Sequence, residues 1–263
     1  MLTHTYLLQN VLERAKIEKY DYDIFVYNII PDLLTIHPNI NSQQTHQIKR
    51  LFSSYPPQYP KSAYVMFHLL VDDLAHYGSM CSDIPAQFNP DSRGYSYLKG
   101  KPIISSILDF HKKVNREISY NEAVYRSHLI VEMIYDLVIY DQIDTRQSIN
   151  LLADAVSTTA DNYMEEFITT INWLYGFCEE DIRDVVKKAA VYLTAERMHK
   201  IMSVEGRVRL YAYKFGLRND NQSYFGGIKD LFLQAMDLLD DDEMFLRETN
   251  KAVSDYGWLP PVR

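Results

Sequence analysis

Between Tyr64 and Tyr77 the chain is apolar at almost every position, and the polar interruptions fall at His68, Asp72, Asp73 and His76. On a helix, residues four apart stack on one face, one turn above the next. His68, Asp72 and His76 therefore form a single stripe on an otherwise apolar cylinder. A helix apolar over most of its circumference is buried, and a buried charge is costly unless it is paired or holds a metal. A second segment repeats the pattern: from Ala123 to Asp136, with His128, Glu132 and Asp136 one turn apart and mostly apolar residues from Leu129 to Tyr140. Imidazole and carboxylate at this spacing can close on one cation with little rearrangement, as in zinc and di-metal helical sites. Eight histidines and 35 acids would give about one such pair by chance. Two pairs, one of them extended by a further histidine, exceed that.

The rest of the chain carries the same period. Helices are expected over 4–19, 22–30, 42–54, 62–78, 103–117, 119–140, 145–158, 160–175, 179–202, 204–215, 223–239 and 241–255. The stretch 179–202 is the clearest, opened by Glu179, Glu180 and Asp181 and closed by Arg197 and Lys200, in accord with the helix dipole. Only 9 glycines are present, too few for the tight turns of a β-rich chain. The expected fold is all-α: a single multi-helix domain, 1–263, of about 10–12 helices, with a metal-site half over 1–140 and a supporting helical half over 141–263. The proline- and glycine-bearing stretch 80–102 and the proline-rich 53–60 are expected loops.

Charge narrows the function. The net charge is −8, and the excess acid lies after Asp136, where 14 basic residues face 21 acidic ones. No Lys/Arg stripe is present to track a phosphate backbone, so nucleic acid is not an expected partner. No stretch approaches the ~20 apolar residues of a transmembrane helix, and no leader is recognisable at the start. Cys81 and Cys178 are too few for a disulfide framework, so a cytoplasmic setting is expected. Neither a phosphate-cradling glycine loop nor a serine- or cysteine-nucleophile pattern is visible.

Two further residues join the stripes. Asp32 follows Pro31 at the end of the apolar run Ile24–Ile30, where proline should end or kink the helix. His46 lies fourteen residues later, on a segment whose Ile48, Leu51 and Phe52 should face the core. The order Pro31-Asp32, His46, His68-x3-Asp72-x3-His76, His128-x3-Glu132 resembles the zinc-dependent phospholipase C family, which is related in fold to the S1/P1 nucleases. The likeness covers roughly residues 1–136. It implies an all-α phospholipase C/P1 nuclease-like fold and hydrolysis of phosphate esters by a metal-activated hydroxide. By that resemblance Asp32, His46, His68 and Asp72 hold one metal, His76, His128 and Glu132 a second, and Asp72 faces a third. In secreted members a freed N-terminal tryptophan helps bind the third zinc. Here Trp173 and Trp258 lie far from the start, so two zinc ions are expected rather than three, with manganese or iron as alternatives. His4 is the candidate for the family's early histidine. Asp32 is the candidate catalytic residue, orienting or deprotonating water. The expected partner is a small phosphorylated substrate or a lipid headgroup; the oligomeric state is not legible.

The remaining polar residues have plainer expectations. Asp73 should accept a hydrogen bond from a ligand imidazole, and Asp136 either does the same or pairs with a cation from a neighbouring helix. Tyr77 and Tyr125 flank the stripes, within reach of a phosphate. His37 and His111 are expected on the surface, His199 near a helix C-terminus, and Gly78 as a helix C-cap. The sequon at Asn221 carries no weight, and Asp240–Glu243 is either a solvated helix start or a partner surface. Two alternatives stand beside the hydrolase reading: an HD-like helical metallohydrolase, although the His-Asp dipeptide is absent, and a non-catalytic metal-binding helical scaffold.

Overall fold

The computed structural model describes residues 1–51, 55–85, 92–142, 146–217, 222–239, 242–258 and 260–261. Along it run α1 (Leu2–Arg14), α2 (Ile24–Leu33), α3 (Ser42–His46), α4 (Ser62–Tyr77), α5 (Tyr95–Gly100), α6 (Ile104–Lys113), α7 (Tyr120–Gln142), α8 (Arg146–Thr158), α9 (Met164–Tyr175), α10 (Glu179–Tyr192), α11 (Ala195–Ile201), α12 (Val204–Lys214), α13 (Gln222–Met236) and α14 (Asp242–Asp255). Helix accounts for 74 % of the structure, with no strand among the described residues. One apolar cluster runs from Leu2 to Trp258, so both halves of the chain share a core. None of the described helices is long and apolar enough to cross a membrane. The expectations at Phe52, Ser53, Ser54, residues 86–91, Asn221, Asp240 and Asp241 fall outside the described residues.

The centre of that core is the pair α2 and α4. Every residue of α2 from Ile24 to Pro31 is buried, as are twelve successive residues at the start of α4, Ser62 to Asp73. The two run side by side in the same direction. Lys61, at the start of α4, donates to Asp23, at the start of α2, at 2.5 Å, and Asp32, near the end of α2, approaches His68 of α4. The carboxyl end of this pair is where the polar stripe emerges.

Four local expectations are corrected. Pro31 does not end α2, which runs on to Leu33 and then a 3-10 turn, Leu34–Ile36. Pro31 falls late enough in the helix that it denies a donor only to the Tyr27 carbonyl, so Asp32 sits in the last turn. Helix 42–54 closes at His46 after a capping box between Asn41 and Gln44. The stretch 179–202 is two helices. Thr194 adopts an extended backbone and its hydroxyl accepts from the Arg197 amide, an N-cap that competes with continued helix. Finally, α5 occupies the end of the expected loop 80–102. Elsewhere the boundary expected at 158–160 is a π turn, Thr159–Tyr163, joining α8 to α9.

Gly78 caps α4 in the left-handed region, at φ 74°. The chain leaves there and returns at Gly94, whose amide donates to the His76 carbonyl at 3.0 Å. A Cβ on Gly94 would lie 2.2 Å from the Ala75 carbonyl oxygen. Only glycine fits, and this contact sets α5 across the end of α4.

Candidate metal centre

The two stripes face one another. His76 of α4 reaches Glu132 of α7, Nε2 to Oε1 at 2.7 Å, and the His76 and His128 rings meet edge to face with centroids 5.2 Å apart. One turn back along α4, Asp72 is surrounded by imidazoles. Its Oδ2 lies 3.2 Å from Nε2 of His68 and 3.3 Å from Nε2 of His46, and its Oδ1 lies 3.2 Å from Nε2 of His4. His46 also approaches Asp32 at 3.7 Å. The His4 ring stacks on His68 at 3.8 Å, tilted by 14°.

Among the described residues, three sets of donors lie close enough to share an ion: His4, His68 and Asp72; Asp32, His46 and His68; and His76, His128 and Glu132. Within each, the donor atoms are within 4.8 Å of one another. The structure thus brings together all seven residues read from sequence as ligands. His4, the candidate early histidine, joins them, since α1 carries it against His68.

The donor chemistry suits a cation. His68 is fully buried, and neither ring nitrogen has a hydrogen-bond partner of acceptable geometry. His4 Nδ1 is likewise unpartnered. Burying an imidazole amid carboxylates with its nitrogens unsatisfied costs free energy, and a cation between these donors would take up one nitrogen of each ring. Burial, then the neighbouring His4, pushes the His68 pKa down to about 4. His128 is pushed down to about 4 by burial, with His76 adding to it. Both imidazoles are neutral at ordinary pH. Burial opposes charge on His46 too, yet hydrogen bonds to Asp32 and Asp72 raise it to about 10. Burial works against ionisation of Asp32, Asp72 and Glu132, but their histidine neighbours hold all three below the ordinary carboxylate range.

The donors open onto a cavity of about 710 Å³, whose wall includes His4, Asp32, His46, Asp72, His76 and Glu132. Tyr77 and Tyr125 line it, as expected. Helix α5, hidden from sequence inspection, supplies Ser96, whose Oγ donates to Glu132 at 3.2 Å, and Tyr97, whose ring lies 4.6 Å from that of His128. The half expected only to support also contributes, because Arg207, Leu210 and Lys214 of α12 face the cavity. No local signal marks these residues, since their role depends on how α12 docks.

Other polar residues are reassigned. Asp73 does not hold a ligand imidazole. Arg50 donates to it from Nε at 3.0 Å and from Nη2 at 2.7 Å, and the Cys81 amide adds a third bond at 3.1 Å. Asp136 takes the ion-pair alternative, with Arg207 at 3.1 Å, and also accepts from the amide and hydroxyl of Thr3. His111 is buried at 1 % exposure, not on the surface. Its Nε2 lies 2.9 Å from Arg126 Nη1 and its Nδ1 3.0 Å from the Arg116 carbonyl. Because arginine only donates, Nδ1 carries the proton. His37 is tethered 3.5 Å from Asp181 rather than solvated. His199 lies in the last turn of α11, as expected.

No family model matches the chain, and no curated protein and no solved structure was found to match it.

Proposed function

We propose that this chain is a metal-dependent hydrolase of phosphate esters, resembling the zinc-dependent phospholipase C family. The observation that carries the reading is the environment of His68. A fully buried imidazole with two unsatisfied nitrogens stands among His4, His46, Asp32 and Asp72, beside a second imidazole–carboxylate set on facing helices. Asp32, His46, His68 and Asp72 would hold one divalent cation, zinc by the histidine-rich donor set, and His76, His128 and Glu132 a second. Bound there, such ions would acidify a water towards neutral pH and offset charge on a phosphoryl group.

The protein's own residues do the rest. Asp32, in the last turn of α2 and 39 % exposed at the cavity wall, is placed to orient a water or take its proton. Arg50 and Arg207 neutralise Asp73 and Asp136, so that these acids do not repel an incoming phosphate. Tyr77 and Tyr125 stand at the wall with hydroxyls suited to phosphate oxygens. A small phosphorylated metabolite or a lipid headgroup is the substrate class of this reading. A cytoplasmic setting, supported by the unpaired Cys81 and Cys178, belongs to the same proposal.

The test is direct. Protein loaded with zinc or manganese should cleave a chromogenic phosphate ester, and Asp72→Ala should abolish turnover. Equal activity in that variant removes the hydrolase reading. Stoichiometric metal without turnover would leave a metal-binding scaffold.

A further inference from the structure

The cavity wall is rich in acid, with Asp32, Asp72, Asp73, Glu132 and Asp136 all facing it. Three cationic side chains of the described residues line it too: Arg50, Arg207 and Lys214. Arg50 is bidentate on Asp73 and Arg207 is paired with Asp136. Lys214 has neither a hydrogen bond nor an ion pair among the described residues. It is exposed, beside Tyr213, which is 82 % exposed.

This lysine is not on a loose end. It is the last residue of α12, and the turn after it is held from α7 and from the connection that follows α6. The guanidinium of Arg126 lies 3.9 Å over the Phe215 ring, and Arg116 Nη1 donates to the Gly216 carbonyl at 2.9 Å. Gly216, at φ 60°, ends the helix in the left-handed region. The Phe215 ring meets Tyr125 edge-on at 6.4 Å, and Tyr125 meets His128 at 5.0 Å. The backbone bearing Lys214 is thereby fixed two ring contacts away from the ligand cluster, at the rim of the same cavity. An exposed, unpaired ammonium on a fixed base, at a wall whose arginines are already paired, is suited to bind an anion that is not the one at the metals.

We propose that Lys214 binds a second anionic group of the substrate, so that the preferred phosphate esters carry a carboxylate or another phosphate some bonds away from the scissile phosphorus. The inference rests on the phosphate-ester reading for the first phosphoryl group and adds a determinant of specificity to it.

The test uses phosphonates that cannot be hydrolysed. Calorimetry on the zinc-loaded protein compares alkylphosphonates with analogues of equal chain length, two to six carbons, ending in a carboxylate or a phosphate. The charged analogues should bind about five- to tenfold tighter at the best length, with the advantage shrinking as salt rises. Lys214→Ala should erase the advantage, Lys214→Glu should reverse it, and Lys214→Arg should keep it. Lys200→Ala, which removes a distant exposed cation paired with Glu196, should not alter it. The inference is overturned if charged and uncharged analogues bind alike, absence of binding included. It is also overturned if the advantage survives Lys214→Ala, or if that variant weakens both classes equally, which would place Lys214 at the scissile phosphate. Failure to turn over any ester, with the binding pattern intact, would count against the hydrolase reading alone.

Discussion

Asp72 and Asp73 are neighbours in sequence, both buried, and they live in opposite environments. Asp73 faces a guanidinium that matches it atom for atom, with the Cys81 amide completing its hydrogen bonds. Asp72 faces three imidazoles, two of which belong to rings with unsatisfied nitrogens. The first arrangement is closed, since both carboxylate oxygens accept and all three guanidinium nitrogens donate, and it holds α4 to the chain before it. The second is open, and its donors converge without a common acceptor of charge. Burial and charge alone do not separate a structural ion pair from a binding centre; completeness of pairing does. Asp136 with Arg207 and Asp23 with Lys61 lie between the two: each acid has its cation, but Arg207 Nε and Asp23 Oδ1 are buried without a hydrogen bond.

The contrast can be broken in several ways, the largest first. Asp72→Ala should reduce metal-dependent ester cleavage to the rate of the metal salt alone, measured as kcat/KM. Retained turnover would put Asp72 among the closed pairs. Arg50→Ala should leave Asp73 buried and unpaired, costing about 3–5 kcal/mol of stability in denaturant titration. A cost below about 1 kcal/mol would mean that Asp73 finds solvent or another partner. Zinc should raise the stability of the wild-type chain by about 2.7 kcal/mol for each ion bound at a hundredfold excess over its Kd. Chelator should remove the gain. His68→Ala should lose the share of the set it belongs to, and Lys61→Met, altered at an ion pair outside the cavity wall, should retain the whole gain.

The smallest effect concerns His111. Burial, then the charge of Arg126, lowers its pKa. The unfolded chain therefore takes up the proton first, near pH 6.5. The stability that neutral His111 contributes is complete above that pH and is lost as pH falls through it towards the lower folded value. Between pH 7 and pH 5 the wild-type unfolding midpoint in urea should drop more than that of His111→Gln. Parallel curves for the two would refute the assignment.

Much of the centre was legible because its spacing is local. His68, Asp72 and His76 share a helix face by arithmetic, as do His128 and Glu132, and an apolar cylinder forces that face inward. What escaped is what depends on docking. Arg50 looks like any surface base until α4 packs beside it, and α12 shows no sign in its sequence that Arg207 and Lys214 overlook the cavity. His111 was misread for a different reason. Its charged neighbours Asp109, Lys112 and Lys113 suggested a solvated face, yet Ile104, Ile107 and His111 recur at helical period and are buried together. The period was the better guide. Leu193 and Thr194 teach the complement: an amphipathic pattern crossed a break set by one hydroxyl acting as an N-cap.

The closure at Gly94 has a further consequence. The excursion that departs at Gly78 comes home to the turn of α4 it left, with the Gly94 amide on the His76 carbonyl, so it is pinched shut at its neck. Lengthening such a detour is cheap, about 0.6 kcal/mol per doubling, and α5 with Ser96 and Tyr97 would keep its register on Glu132 and His128. Pro85, on the outward limb, already borders the cavity. A change of length beyond Pro85 would thus alter the cavity wall at that residue while the donors behind it stay where they are.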